Sequence, residues 1–248
     1  MIGILCALPQ EYEAIKGMLE NVEEKDIRNC KICTGDAEGK KTVVVQTGVG
    51  KVCAALAANL IYDIYKVELV ISTGLAGIIN PDLSVGDVVI SSDICYHDCF
   101  RDESLDKKHV DGYLCMQKVF STDGFIVSNI KNILNSSMYE LPPRLKRNGR
   151  EYPMIEVGKV ISGDVPVHKT EISRNLYNTY KALCVDMETA GTAQSCYIMG
   201  IPCVAVKIMS DHADERSYIS VLRYMDILCG HMAKLIREII VRLTCEPK

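Results

Sequence analysis

The chain has 248 residues, 48% of them hydrophobic and 24% charged, and carries a net charge of −4. That length suits one large soluble domain or two small ones, and the mild negative charge leaves no basic footprint for a nucleic-acid partner. The apolar run at residues 2–7 is too short to cross a bilayer and has no basic leader, so it reads as a buried first strand, with no membrane partner and no targeting signal.

In chain order, Tyr12, Ile15, Met18 and Leu19 have helical spacing, which predicts a helix over residues 11–20. Strands are expected at residues 31–34 and 42–47, with residues 35–39 as the turn region between them. Gly48-Val49-Gly50 leads into an alanine-rich helix over residues 51–65. Leu69-Val70-Ile71 reads as an apolar strand ending in the turn Thr73-Gly74-Leu75-Ala76-Gly77. Val88-Val89-Ile90, residues 157–161 and residues 202–208 are further buried strands, the last two separated by a helix over residues 188–199. A long helix over residues 220–243 follows. Residues 101–112 are charged and irregular, residues 141–153 are rich in proline and basic side chains, and both read as surface excursions. Apolar strands alternating with helices, with no obvious linker, predict one α/β domain over residues 1–248. It would be a three-layer α-β-α arrangement around a mixed, largely parallel twisted sheet.

The chain has 12 cysteines. Cys6, Cys53, Cys184, Cys196 and Cys203 lie in apolar runs, where cysteine behaves as a small hydrophobe. Cys30-Lys31-Ile32-Cys33 has zinc-type spacing but no second pair and no suitably spaced histidines. The reading is reduced thiols in a cytoplasmic protein, with no metal site and no cofactor.

Sheets of this class gather ligands beyond the carboxyl ends of their strands, which is where Glu11, Gly74, Glu188 and Asp211 fall. Taken singly, each glycine turn is an ordinary strand-to-helix connection, and each acid is a favourable helix start or cap. Three acids at three equivalent strand ends point instead to a site, because carboxyl groups in different surroundings can divide acid and base roles.

The segments at residues 2–15, Gly48-Val49-Gly50-Lys51-Val52, Thr73 to Gly77, Val85-Gly86-Asp87, Tyr96-His97-Asp98, Asp186-Met187-Glu188 and Ser210-Asp211-His212-Ala213-Asp214 occur in order. Together they resemble the 5′-methylthioadenosine/S-adenosylhomocysteine nucleosidases of the nucleoside phosphorylase superfamily. The match runs over nearly the whole chain apart from residues 102–158. The resemblance implies hydrolysis of the N-glycosidic bond of an adenine thionucleoside, releasing adenine. It makes Glu11 the base that activates water and Asp211 the acid that protonates purine N7, with Ser210 orienting Asp211. Glu188 would accept hydrogen bonds from the ribose hydroxyls and Met187 would lie under the sugar. Val49, Ala76, Gly77 and Val167 would complete the substrate contacts. Asp186 would point elsewhere and serve the structure. Breaking this bond builds positive charge on the ribosyl carbon and negative charge on the base, so the reading needs a protonated Asp211 beside an ionised Glu11.

Four positions depart from the family pattern: Leu75 where serine is common, Lys207 where arginine is common, and Pro166 and Val221 where aromatic rings are common. Lost packing on the base would cost roughly 1 kcal/mol, judged from aromatic pair energies. Two other readings stand beside hydrolysis. A phosphorylase would need cationic donors for phosphate, for which Lys51 and Lys207 are the candidates. A non-catalytic purine-nucleoside binding protein would not need the three acids intact. Family members are commonly homodimers in which a partner loop closes the 5′ pocket. That implies a homodimer here, built partly by the helix region at residues 49–65, whose small residues allow close packing.

Overall fold

A computed structural model describes residues 1–99, 119–137, 140–143, 145–146 and 150–244. The strands are β1 (Ile2–Cys6), β2 (Glu20–Ile27), β3 (Cys30–Ala37), β4 (Lys40–Gln46), β5 (Leu69–Ile78), β6 (Val88–Tyr96), β7 (Phe120–Ser121), β8 (Ile155–Ser162), β9 (Cys184–Asp186) and β10 (Cys203–Asp211). The helices are α1 (Pro9–Lys16), α2 (Lys51–Tyr65), α3 (Gly124–Ser136), α4 (Thr170–Tyr180), α5 (Thr189–Met199) and α6 (Ser217–Arg242).

The sheet is mixed. β4, β1, β5 and β10 pair in parallel, as do β6, β8 and β9. Antiparallel pairings join β2 to β3, β3 to β4, β5 to β9 and β10 to β6. Because β5 pairs with both β9 and β10, the strands β5-β10-β6-β8-β9 close on themselves into a small ring, with β1, β4, β3 and β2 extending from it.

The period-two rule of a strand explains the three layers. Ile4, Val44 and Ile71 enter one core with Tyr12 and Ile15 of α1 and the buried stripe of α6. Leu5, Val43, Val45 and Val70, their neighbours in sequence, enter the opposite core with Ala57, Ala58 and Ile61 of α2. Strands apolar on both faces need helices on both faces, and these helices supply them.

Several expectations shift. Residues 73–77 are not a turn, because β5 pairs with β10 from Val70 through Gly77. The first helix ends at Lys16, and the charged stretch beyond it is a largely exposed strand, β2, that pairs with β3 at the edge of the sheet. The turn between β3 and β4 is confined to Glu38 and Gly39, both at positive φ. Residues 141–153 are not wholly superficial: Leu141 and Leu145 are buried in the main core, and Arg150 reaches Ser84 Oγ at 2.9 Å and Asp87 at 3.4 Å. The expected excursion at residues 101–112 lies outside the described residues. Cys53 is exposed although its neighbours are apolar. Cys30 and Cys33 stand three apart on a strand and pack against opposite cores, so their thiols do not converge.

Candidate active site

The carboxyl ends of β1, β5, β9 and β10 open into one pocket of about 430 Å³. All nine residues expected at a site line it: Glu11, Val49, Ala76, Gly77, Val167, Met187, Glu188, Ser210 and Asp211. Leu8, Val165, His168, Ser217 and Tyr218 also line it and were not anticipated. Leu8 had a signal, since it stands one helical turn before Glu11. The others come from loops and a helix start without a sequence pattern of their own.

Glu11 sits in the first turn of α1 with its side chain folded back on the chain. Oε2 accepts from the backbone N–H groups of Ala7 and Leu8, both at 2.9 Å, and Oε1 accepts from Leu75 N–H at 2.8 Å. Gly74 makes room for this. Its φ is +134°, and a Cβ there would stand 2.7 Å from Glu11 Oε1. A side chain at position 74 would therefore be strained and would displace the carboxylate. Burial raises the Glu11 carboxyl above the ordinary glutamate range, against the pull of the Leu8 and Leu75 N–H groups and the Lys207 charge. A carboxyl raised in this way exchanges its proton closer to neutral pH.

Asp186 and Glu188 leave β9 in different directions. Asp186 turns inward, receiving hydrogen bonds from Ser162 Oγ, Thr189 Oγ1 and Thr189 N–H, and pairing with Lys207 Nζ at 2.9 Å. Lys207 is 2% exposed and also donates to the Thr73 carbonyl at 3.2 Å. A lysine inside the stretch Val204–Ile208 needs a buried partner, and Asp186 is that partner. Burial would raise Asp186, but the Lys207 charge and the hydroxyl donors hold it below the usual aspartate range. Burial would likewise lower Lys207, and Asp186 with Glu188 raises it instead. Glu188 faces the pocket, its Oε1 accepting from Gly50 N–H at 3.0 Å. Burial, reinforced by the charge of Asp186, pushes the Glu188 carboxyl up to about 7.

Asp211 ends β10, lines the same pocket and is buried. Its Oδ1 accepts from Ala213 N–H at 2.8 Å, a local turn. Asp214 Oδ1 accepts from the N–H of Arg216, the residue just before α6. Asp211 Oδ2 lies 2.6 Å from Ser210 Oγ, which is itself 3.2 Å from the Ala76 carbonyl. One hydroxyl proton serves only one of these oxygens. Ser210 therefore ties the Asp211 carboxyl to β5 through one shared hydroxyl.

Among the described residues that line the pocket there is neither lysine nor arginine. The two lysines considered for phosphate are engaged elsewhere, Lys207 with Asp186 and Lys51 with Asp98 at 2.7 Å.

The Phosphorylase superfamily model matches residues 1–241. The 5′-methylthioadenosine/S-adenosylhomocysteine nucleosidase of Baumannia cicadellinicola subsp. Homalodisca coagulata is 30% identical over 247 residues, covering 98% of this chain and all of its own. The Neisseria meningitidis nucleosidase, solved with methylthio-immucillin-A, superposes with a TM-score of 0.81 at 30% identity, covering 97% of this chain and 98% of its own. The S. pneumoniae nucleosidase, solved with the transition-state inhibitor MT-ImmA, gives a TM-score of 0.80 at 26% identity over 98% of this chain and 99% of its own. The chain belongs to the phosphorylase superfamily and, within it, to the 5′-methylthioadenosine/S-adenosylhomocysteine nucleosidase family.

Proposed function

We propose that this chain is an N-glycosyl hydrolase that cleaves an adenine thionucleoside, 5′-methylthioadenosine or S-adenosylhomocysteine, to free adenine and the thioribose. The observation that carries the reading is the convergence of Glu11, Glu188 and Asp211 from three strand ends on one pocket without a lining cation among the described residues. In the reaction the bond between C1′ and N9 breaks as water attacks C1′. Asp211 gives its proton to N7 of the departing base, and Glu11 takes a proton from the water. Glu188 accepts hydrogen bonds from the ribose hydroxyls, Met187 packs against the sugar, and Ser210 orients Asp211. Val49, Ala76, Gly77 and Val167 supply the remaining substrate contacts. A proton returned from Glu11 to Asp211 through solvent completes the cycle.

The same observation weighs against phosphorolysis. A phosphate dianion would meet the Glu11 carboxylate with no free ammonium or guanidinium beside it among the described residues, where phosphate sites rely on such donors. The test is adenine release from a panel of purine nucleosides, with and without phosphate. Hydrolysis predicts release from the adenine thionucleosides that is indifferent to phosphate. Phosphate dependence, or faster turnover of inosine or guanosine, overturns the reading, and tight binding without turnover favours a binding protein.

The active form is a homodimer. Val52 and Leu56, 67% and 66% exposed and four apart on one face of α2, form an apolar ridge that a second copy would cover. Light scattering that shows only monomer overturns this. No helix among the described residues is long and apolar enough to cross a membrane, and the free thiols fit a cytoplasmic setting.

A further inference from the structure

Beside the pocket, three charged residues from three separate segments bind one another. Lys51 opens α2, Asp98 follows β6, and Asp164 follows β8. Lys51 Nζ lies 2.7 Å from both carboxylate oxygens of Asp98 and 3.5 Å from Asp164 Oδ2. Lys51 N–H donates to Asp164 Oδ1 at 2.9 Å, and Asp164 N–H donates to Asp98 Oδ2 at 2.8 Å. The ammonium also stands 5.2 Å from the centre of the Tyr96 ring. Each member is thus tied to the other two, and the Lys51 and Asp98 side chains are only 20% and 23% exposed. Charge-assisted bonds in such a partly dry network hold geometry better than an isolated surface pair.

None of the three lines the pocket. Their immediate neighbours reach it: Gly50 N–H, one residue before Lys51, is the donor that holds Glu188 Oε1, and Val165, one residue after Asp164, begins the segment through His168 that lines it. The start of α2 has little freedom to slide, because Gly191 of α5 packs on the Lys51 carbonyl so closely that a Cβ at 191 would lie 2.3 Å from it.

We propose that Lys51, gripped by Asp98 and Asp164, is a positioning residue for hydrolysis: it fixes the Gly50 N–H and through it the orientation of Glu188. The proposal rests on the reading of Glu188 as the ribose carboxylate. A network that only braced the fold would lower stability and weaken every ligand contact alike. A positioning network acts through Glu188, so its loss should not add to the loss of Glu188 itself.

The experiment measures kcat and KM for 5′-methylthioadenosine, together with calorimetric Kd for its 7-deaza analogue, which offers Asp211 no N7 to protonate and so binds without being cleaved. The variants are Lys51→Met, Lys51→Arg and Asp98→Asn, alone and combined with Glu188→Ala, with Tm recorded for each. Lys51→Met is expected to lower kcat/KM and analogue affinity by about tenfold, within the coupling range of neighbouring residues. Lys51→Arg should restore most of this, and Asp98→Asn should reproduce the loss even if Lys51→Met fails to fold. In the Glu188→Ala background the same changes should weaken the analogue by less than about twofold, since the partner of the coupling is gone. Unchanged kinetics and affinity, or an equal loss in both backgrounds, overturns the proposal. A Glu188→Ala variant with wild-type affinity and turnover defeats the ribose reading instead, whatever Lys51 does.

Discussion

The two ends of the pocket are built differently. At the Glu11 end, the ammonium of Lys207, buried against Asp186, acts through its charge on Glu11 and Glu188 as well, and backbone N–H groups or hydroxyls engage each carboxylate. At Asp211 one carboxyl meets Ser210 and Ala213, and the rest of the pocket lining includes the loop Val165, Pro166, Val167 and His168 with Tyr218 and Val221 of α6. Val165 and Tyr218 are 66% and 76% exposed there. The first end resembles a protein interior and the second resembles a surface. A buried charge network fails when one member is removed, because an uncompensated ion remains in a dry site. An apolar wall tolerates changes of shape at modest cost.

The sharpest break in the comparison is expected from the reacting groups. Glu11→Gln should keep substrate affinity within a few-fold yet lower turnover by about 10²–10⁴, because the amide cannot take a proton from water. Near-normal kcat would move the base elsewhere. At the other end Asp211→Asn should cost a similar factor, about 10²–10⁴, for adenine nucleosides and far less for a substrate whose leaving group departs unprotonated. Paired rates on both substrate types, with Tm alongside, decide it. A folded variant that treats adenine nucleosides as well as wild type would reduce Asp211 to a turn residue.

Stability should separate the two ends next. Asp186→Asn leaves Lys207 buried without its carboxylate and should cost about 3–5 kcal/mol. Urea unfolding measures this, and pairing the change with Lys207→Met should recover much of the loss. A stable single variant would mean that water or Glu188 neutralises the lysine. The smallest effect is expected at the apolar wall. Pro166→Phe restores a ring for the base to pack on and should tighten KM by about fivefold, equivalent to roughly 1 kcal/mol. No change would show that the base does not pass that wall.

The strand–helix alternation was legible because buried parallel strands write continuous apolar runs, as at Leu69–Ile71 and Val204–Val206, and α2 was legible to the residue because its alanine-rich run has one flank of glycines. Short or polar elements were not. β2 is mostly charged and exposed, and its strand state comes from its ladder to β3. The hairpin turns at Arg28 and Asn29, both at positive φ, and a run of mostly charged residues carries no apolar alternation to mark it as a strand.

The site divides in the same way. By itself the sequence determined which acids stand at strand ends, since that depends only on where apolar runs stop: Glu11, Glu188 and Asp211 could be picked out from their flanks. Only the tertiary structure decided that Gly74 continues a strand to make room for Glu11, that Asp186 belongs to Lys207, and that Lys51 is bound by Asp98 and Asp164. Each of those facts is a meeting of residues from separate segments, and what a charge does depends on which opposite charge the fold brings against it and how much water is left between them.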